Sequence, residues 1–178
     1  KILEAASWQL DQPMPAWLGD MTVSRSTPDL DCDFVLSALD ANVAGEIEAA
    51  FAAAGYPVIS NAKNFRMEED VPLVIPEVNP GHINVIKRQQ QKRGWRKGFI
   101  VTNPNCSTVG LVMALKPLHD LFRASKVFVT TMQALSGAGY PGVASLDILD
   151  NVVPFIKGEE EKIQSEKLKL LGGFAGAQ

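Results

Sequence analysis

The sequence predicts an α/β fold with a parallel sheet, on three observations. Two short apolar runs, residues 34–37 and 56–60, are joined by an alanine-rich segment with helical spacing, the pattern of a strand, helix and strand in a right-handed crossover. A third run, Gly98-Phe99-Ile100-Val101, leads through Thr102-Asn103-Pro104-Asn105 into a helix that starts at Cys106, after which Leu111, Leu115, Leu118 and Phe122 recur at helical spacing. The first two strands end at Ser37-Ala38-Leu39 and Ser60-Asn61, so both ends share the carboxyl edge of the sheet, where open α/β sheets bind their ligands.

Residues 1–20 hold Pro and Trp without periodicity and predict no element, and Met21-Thr22-Val23-Ser24 reads as a short strand. Asp31-Cys32-Asp33 opens the first strand, with Cys32 read as a small buried hydrophobe. The helix over residues 44–54 carries Ile47, Phe51 and Ala54 on one face and ends at Gly55. Residues 71–76 are apolar but hold Pro72 and Pro76, which suits an edge strand or an extended connection. Asn79-Pro80-Gly81 is a turn before a basic helix over 83–93, capped by Gly94, whose Lys87, Arg88, Lys92 and Arg93 read as a solvated face.

Pro117 falls well past the first turn of the Cys106 helix, where proline costs about 3 kcal/mol, so a kink or restart is expected. Residues 126–133 alternate, with Val127, Val129, Thr131 and Gln133 on one face, and predict a strand. A glycine-rich loop over 136–142, an apolar stretch over 148–156 interrupted by Pro154, and a charged helix over 159–171 ended by Gly172-Gly173 complete the chain.

Composition narrows the class. The 178 residues are 46% hydrophobic and 21% charged with a net charge of -3, an ordinary soluble balance that lacks the basic excess of a nucleic-acid or anionic-membrane binder. Two cysteines, Cys32 and Cys106, build no disulfide framework and fit a reducing compartment. No apolar run reaches the length of a membrane span and no signal peptide opens the chain. The first residue is Lys1, so the expectation is that something upstream has been removed or that the chain is a piece of a larger protein.

Cys106 is the candidate nucleophile. The first turn of a helix has unpaired N–H groups and the positive end of the macrodipole, and both favour a thiolate. Gly137-Ala138-Gly139-Tyr140-Pro141-Gly142 matches the dinucleotide pattern G-x-G-x-x-G literally. Pro141, however, removes an amide donor, and no second βα unit with an acidic ribose partner follows, so the loop reads as a place where a ligand approaches the backbone closely. His82 follows a Pro-Gly turn and His119 lies over three helical turns beyond Cys106, so both read as structural.

The runs 98–110, 131–142 (Thr131-Met132-Gln133-Ala134-Leu135-Ser136 and the glycine loop) and 145–154, together with Ser60-Asn61-Ala62-Lys63-Asn64 and Gly158-Glu159-Glu160-Glu161-Lys162, closely resemble the aspartate-β-semialdehyde dehydrogenase family of the archaeal and fungal type. The resemblance implies a Rossmann-type NADP-binding sheet, of which residues 1–104 are part, and the start of an α+β catalytic and dimerisation domain over 105–178. It implies Cys106 as nucleophile and Gln133 as the residue that orients the acyl intermediate. Arg66, Asn105, Glu159 and Lys162 are implied to bind phosphate and substrate, Glu159 being favoured within its run because it stands three residues before Lys162. Ser37, Leu39, Asn61, Ser136 and Gly137 are implied as cofactor contacts, and no metal is implied.

The resemblance further implies a cytoplasmic homodimer or homotetramer of amino-acid biosynthesis, acting on aspartate semialdehyde or aspartyl phosphate. The family's glycine-rich cofactor loop, its histidine base and a substrate arginine are expected outside residues 1–178, so the sequence resembles the middle of the enzyme. The chemistry asks for such residues: a carbonyl carbon has no hydride to give until a nucleophile adds to it, and a thiolate adds well near neutral pH. The resulting thiohemiacetal yields a thioester that phosphate can attack. An acyl-CoA reductase on the same scaffold, using the same cysteine, and a catalytically silent fragment are the alternatives.

Overall fold

The computed structural model describes residues 8, 10–139 and 142–173. Tyr140 and Pro141, and with them the proline argument about the glycine loop, lie outside the described residues. Helix α1 (Ala16–Gly19) is a single turn. The crossover follows: strand β1 (Val35–Ser37), helix α2 (Ala41–Ala54) and strand β2 (Pro57–Ser60). A 3-10 turn (Pro80–Asn84) runs into helix α3 (Val85–Arg93), and strand β3 (Phe99–Thr102) leads into helix α4 (Cys106–Phe122). A second 3-10 turn (Leu135–Ala138), the short helix α5 (Ser145–Ile148) and helix α6 (Glu159–Leu171) complete the order.

The three strands form one parallel sheet in the order β1-β2-β3. The register sets Ser37 beside Ser60 and Ser60 beside Thr102, so the polar residue that ends each run stands on one line at the carboxyl edge. Asp40 caps α2 by accepting from the Asn42 N–H, and Gly55, at φ 109°, ends it in a left-handed conformation that costs glycine nothing. The buried face of α2 is Ala44, Glu48, Phe51 and Ala52 rather than the Ile47, Phe51 and Ala54 stripe, and Ala54 is exposed.

Phe51 and Ala52 pack with Val58, Val71 and Ile100 into one core, bordered by Leu30, Val35, Ile47, Tyr56, Phe65 and Trp95. A second core joins Leu73, Ile75 and Val78 to Val112 of α4 and Leu170 of α6. Between them, residues 72–74 run beside β3: Leu73 pairs with Thr102 in parallel, Val74 N–H donates to Thr102 O and Thr102 N–H to Pro72 O. This is the edge connection expected of a segment with two prolines. The side chain of Gln89 on α3 serves as one more peptide group for β3, accepting from Ile100 N–H at 2.7 Å and donating to Ile100 O at 3.0 Å.

Several expectations are corrected. Residues 21–24 and 126–133 are not strands, because neither finds a ladder partner among the described residues, and Phe128 and Met132 are almost fully exposed. α4 does not restart at Pro117 but continues to Phe122; Met113 and Leu118 beside it are exposed, so the carbonyl that proline cannot bond need not be buried. Leu118 and Phe122 are exposed too, and the buried positions of α4 are Thr108 and Val112. Cys32 is exposed rather than buried. Lys87 and Arg88 face solvent as expected, but Lys92 and Arg93 turn to Asp70, whose side chain is fully buried. No helix of the described residues is long and apolar enough to cross a membrane.

Burial alone would raise the Asp70 pKa, but hydrogen bonds from Arg93 and Lys92 and the Arg93 charge outweigh it and lower the value to about 2. A carboxylate with a depressed folded pKa stabilises the fold above its ordinary value near 3.8, and that contribution disappears as pH falls through about 2. Wild type should therefore lose about 2 kcal/mol across this acid window. Asp70→Asn should lack that step in urea titrations run from pH 5 to 2, and an unchanged slope would contradict the pairing. At Gly98 an added Cβ would stand 1.9 Å from Ala52 O, so α2 and β3 depend on the missing side chain. Gly98→Ala should cost about 3 kcal/mol in urea unfolding, and an unmoved midpoint would show that the crossover relaxes freely.

Candidate active site

The site forms where β3 turns into α4. Asn105 is the N-cap: its Oδ1 accepts from the N–H groups of Ser107 at 3.0 Å and Thr108 at 3.3 Å, closing the first turn with Cys106 as its first residue. Cys106 is exposed, so its thiol is open to a reactant at the end of the helix where N–H groups gather.

Helix α6 faces that turn. Glu159 is 6% exposed, and its carboxylate accepts from Asn105 Nδ2 at 3.1 Å and Gln133 Nε2 at 2.7 Å. Gln133 Nε2 also lies 3.0 Å from Ser107 Oγ, so this side chain from the 126–133 segment sits over the first turn of α4. Lys162, one helical turn on, reaches Glu159 at 3.7 Å. Glu160 and Glu161 are exposed, so within the acidic run only Glu159 turns inward.

Arg66 enters from the loop after β2. Its Nη1 donates to Glu166 at 2.9 Å and its Nη2 to Asn61 O at 2.7 Å, while its buried Nε has no partner. Glu166, 2% exposed, accepts with its other oxygen from the Asn105 N–H at 2.7 Å. One chain of hydrogen bonds thus links Asn61, Arg66, Glu166, Asn105, Glu159, Gln133 and Ser107. The loop carrying Arg66 is itself pinned by Lys169 of α6, whose Nζ donates to the carbonyls of Arg66, Glu68 and Val71 at 2.7, 2.8 and 2.7 Å. Burial lowers the Lys169 pKa to about 8, against the raising effect of Asp70 and Glu68.

The sheet edge is adjacent. Ser37 and Ser60 both donate to Oε1 of buried Glu48, at 2.5 and 2.7 Å. The Ser37 hydroxyl hydrogen is therefore committed, and its oxygen is left as an acceptor. Asn61 donates its N–H to Ser37 O and accepts from Asn103 Nδ2 at 2.7 Å, joining β1, β2 and the loop after β3. Leu39 stands half-buried in the loop after β1. Ser136 and Gly137 form the 3-10 turn beside Gln133: a Cβ at Gly137 would lie 3.1 Å from Gln133 Oε1.

The fold thus links Arg66, Asn105, Gln133, Glu159 and Lys162 in one network at the start of α4, the helix that Cys106 opens, with Asn61 as the bridge to the sheet edge. His82 lies elsewhere: its Nδ1 meets Asn79 Nδ2 at 2.7 Å and its Nε2 meets Gly172 O at 3.0 Å, tying the end of α6 to the first 3-10 turn, and burial lowers its pKa. Sequence reasoning missed Glu48, Glu166 and Lys169. For Glu166 a signal existed: Glu159, Ile163, Glu166 and Leu170 recur at the spacing of one helical face, so a carboxylate is carried beside the apolar residues of that face.

Comparison with known proteins places the chain in a class. Residues 7–86 match the semialdehyde dehydrogenase NAD-binding domain, and residues 115–178 match the semialdehyde dehydrogenase dimerisation domain. The chain belongs to the semialdehyde dehydrogenase family. Within it, the chain is 55% identical to aspartate-semialdehyde dehydrogenase of Archaeoglobus fulgidus over 99% of its own length and 51% of that protein. Against the Methanothermobacter thermautotrophicus enzyme it is 56% identical, over 95% of this chain and 49% of the relative. It superposes on the crystal structure of aspartate semialdehyde dehydrogenase with NADP from Candida albicans with a TM-score of 0.83 and 47% identity, covering 99% of this chain and 50% of that one. The chain spans about half the length of the curated relatives it matches.

The buried Arg66–Glu166 pair makes its own prediction. Arg66→Met strands a carboxylate that is 2% exposed, and should cost about 3 to 5 kcal/mol in urea unfolding. A loss within the range of exposed ion pairs, under about 1 kcal/mol, would show that Glu166 finds another partner.

Proposed function

We propose that these residues belong to an NADP-dependent aspartate-semialdehyde dehydrogenase, which interconverts L-aspartate 4-semialdehyde plus phosphate and L-aspartyl 4-phosphate through a thioester on Cys106. The observation that carries this reading is the convergence of Arg66, Asn105, Gln133, Glu159 and Lys162 on the first turn of the helix that Cys106 begins. The similarity to aspartate-semialdehyde dehydrogenases supports the substrate.

Each side chain has a role in this reading. The Cys106 sulfur, as thiolate, adds to the aldehyde carbon and makes a tetrahedral thiohemiacetal. The amide of Gln133, fixed against Ser107 and Glu159, orients the acyl group. Lys162 and Glu159 offer one charge of each sign to the charged ends of the substrate. Arg66 keeps N–H groups beyond those it gives to Glu166 and Asn61, and with Asn105 it receives the phosphate that cleaves the thioester. Sulfur then leaves as thiolate and the acyl phosphate departs.

The sheet edge fits the cofactor. Ser37, Leu39 and Asn61 follow the carboxyl ends of the first two strands, and Ser136 and Gly137 offer an open turn beside Gln133. The chemistry that NADP supplies when bound is hydride exchange with the carbon attached to Cys106. The match to a dimerisation domain supports a homodimer or homotetramer, and this reading assigns the enzyme a biosynthetic role in making lysine, methionine, threonine and isoleucine and a cytoplasmic location. In this reading the cofactor domain runs to residue 104 and the catalytic domain starts at 105, within the stretch between the two domain matches.

The test is phosphate-dependent reduction of NADP⁺ by aspartate semialdehyde, on this chain and on the full-length protein that carries it. Turnover by the full-length protein is expected, with Cys106→Ser reducing it by a factor of about 10³ or more. Retained turnover in that variant would remove Cys106 from the mechanism. Reduction of a CoA thioester without phosphate-dependent aldehyde oxidation would replace the proposed substrate by an acyl-CoA.

A further inference from the structure

The function proposed above uses Arg66 and Asn105 but leaves Glu166 without a task. An N-cap residue has a backbone N–H of its own to satisfy, and in a capping box the glutamate three residues on provides the acceptor. The corresponding position here is Thr108, whose buried hydroxyl makes no such bond. Glu166, 61 residues away on another helix, takes the place: one oxygen accepts from the Asn105 N–H at 2.7 Å and the other from Arg66 Nη1 at 2.9 Å. The carboxylate is 2% exposed, and both its oxygens are spoken for.

We infer that Glu166 is a positioning residue for the phosphate site: a single buried carboxylate fixes the Arg66 guanidinium against the capped first turn of the Cys106 helix. The inference rests on the proposed reading of that site. It follows from geometry, because Arg66 comes from the loop after β2 and Asn105 from the end of β3, and Glu166 is the side chain bonded to both. It follows from charge as well. The guanidinium is buried and matched by Glu166, and Nη2 is held by Asn61 O at 2.7 Å. Two ends of the fork are thereby aimed by the protein, and the N–H groups that remain face a direction the protein sets. The three-carbonyl grip of Lys169 on the same loop keeps Glu166 and Arg66 in step, since both lysine and glutamate stand on α6.

Glu166→Asp is the deciding variant, because it keeps the charge that Arg66 needs and shortens the reach, so that the carboxylate can hold Arg66 or the Asn105 peptide but not both. In the full-length protein, the KM for phosphate should rise about tenfold with kcat changed less than threefold. Glu166→Gln should shift the phosphate KM in the same sense, and its melting temperature, measured in parallel, separates loss of fold from loss of aim. An unchanged phosphate KM in a folded Glu166→Asp enzyme, or a fall in kcat with KM constant, would overturn the inference.

A second readout does not depend on the reaction. Alkylation of Cys106 by iodoacetamide, followed on its own peptide by mass spectrometry so that Cys32 does not interfere, should be slowed by inorganic phosphate, with a midpoint about tenfold higher in Glu166→Asp. If wild type protects Cys106 but turns over no aspartate semialdehyde, the functional reading fails and the role of Glu166 stands. Equal midpoints in both proteins, or no protection in either, would overturn the role of Glu166.

Discussion

Two carboxylates on one face of α6, Glu159 and Glu166, hold the site together. They stand two helical turns apart, both are nearly excluded from water, and between them they accept hydrogen bonds from Arg66, the Asn105 peptide, the Asn105 amide and the Gln133 amide. These donors come from three stretches that are distant in sequence. A buried carboxylate is costly unless its oxygens are satisfied, so the arrangement tolerates little drift: any donor that moves away leaves a charge uncompensated. The same cost that makes such a network a poor source of stability makes it an effective source of geometry.

Charge balance follows from that constraint. Arg66 and Lys162 bring positive charge to the two glutamates, and Lys169 brings a third cation that spends itself on three backbone carbonyls. Further out, Lys92 and Arg93 of α3 do the same for Asp70, and Arg93 also lies over the rings of Phe65 and Trp95. Asp70 and Arg66 stand at opposite ends of one short segment after β2. Its ends are therefore anchored by ions to two different helices, and its backbone by Lys169.

The sheet contributes in another way. A parallel register puts Ser37, Ser60 and Thr102 in line, and buried Glu48 ties the two serines together from beneath. Asn61 then joins this edge to Arg66 through its carbonyl and to the loop after β3 through its side chain. The proposed cofactor edge and the proposed substrate site thus share one residue, which gives a physical route for setting the distance between them.

Sequence alone determined the local elements with strong periodicity or clear stops. The α2 crossover between β1 and β2, the start of α4 at Cys106 and the limits of α6 at Glu159 and Gly172 are fixed by cap residues, apolar spacing and glycine, all of which act within a few residues. The tertiary structure decided what depends on partners. Residues 126–133 alternate as a strand does, yet a strand exists only where a ladder partner lies beside it. Glu166 shares a helical face with Ile163 and Leu170, but its partners appear only once α6 is laid against Asn105 and Arg66, because pairing over 61 and 100 residues leaves no local pattern. Lys92 and Arg93 likewise looked like a solvated face until a buried Asp70 stood opposite them. Choosing Glu159 from three adjacent glutamates is of the same kind: spacing to Lys162 suggests it, and only the packing of α6 turns it inward.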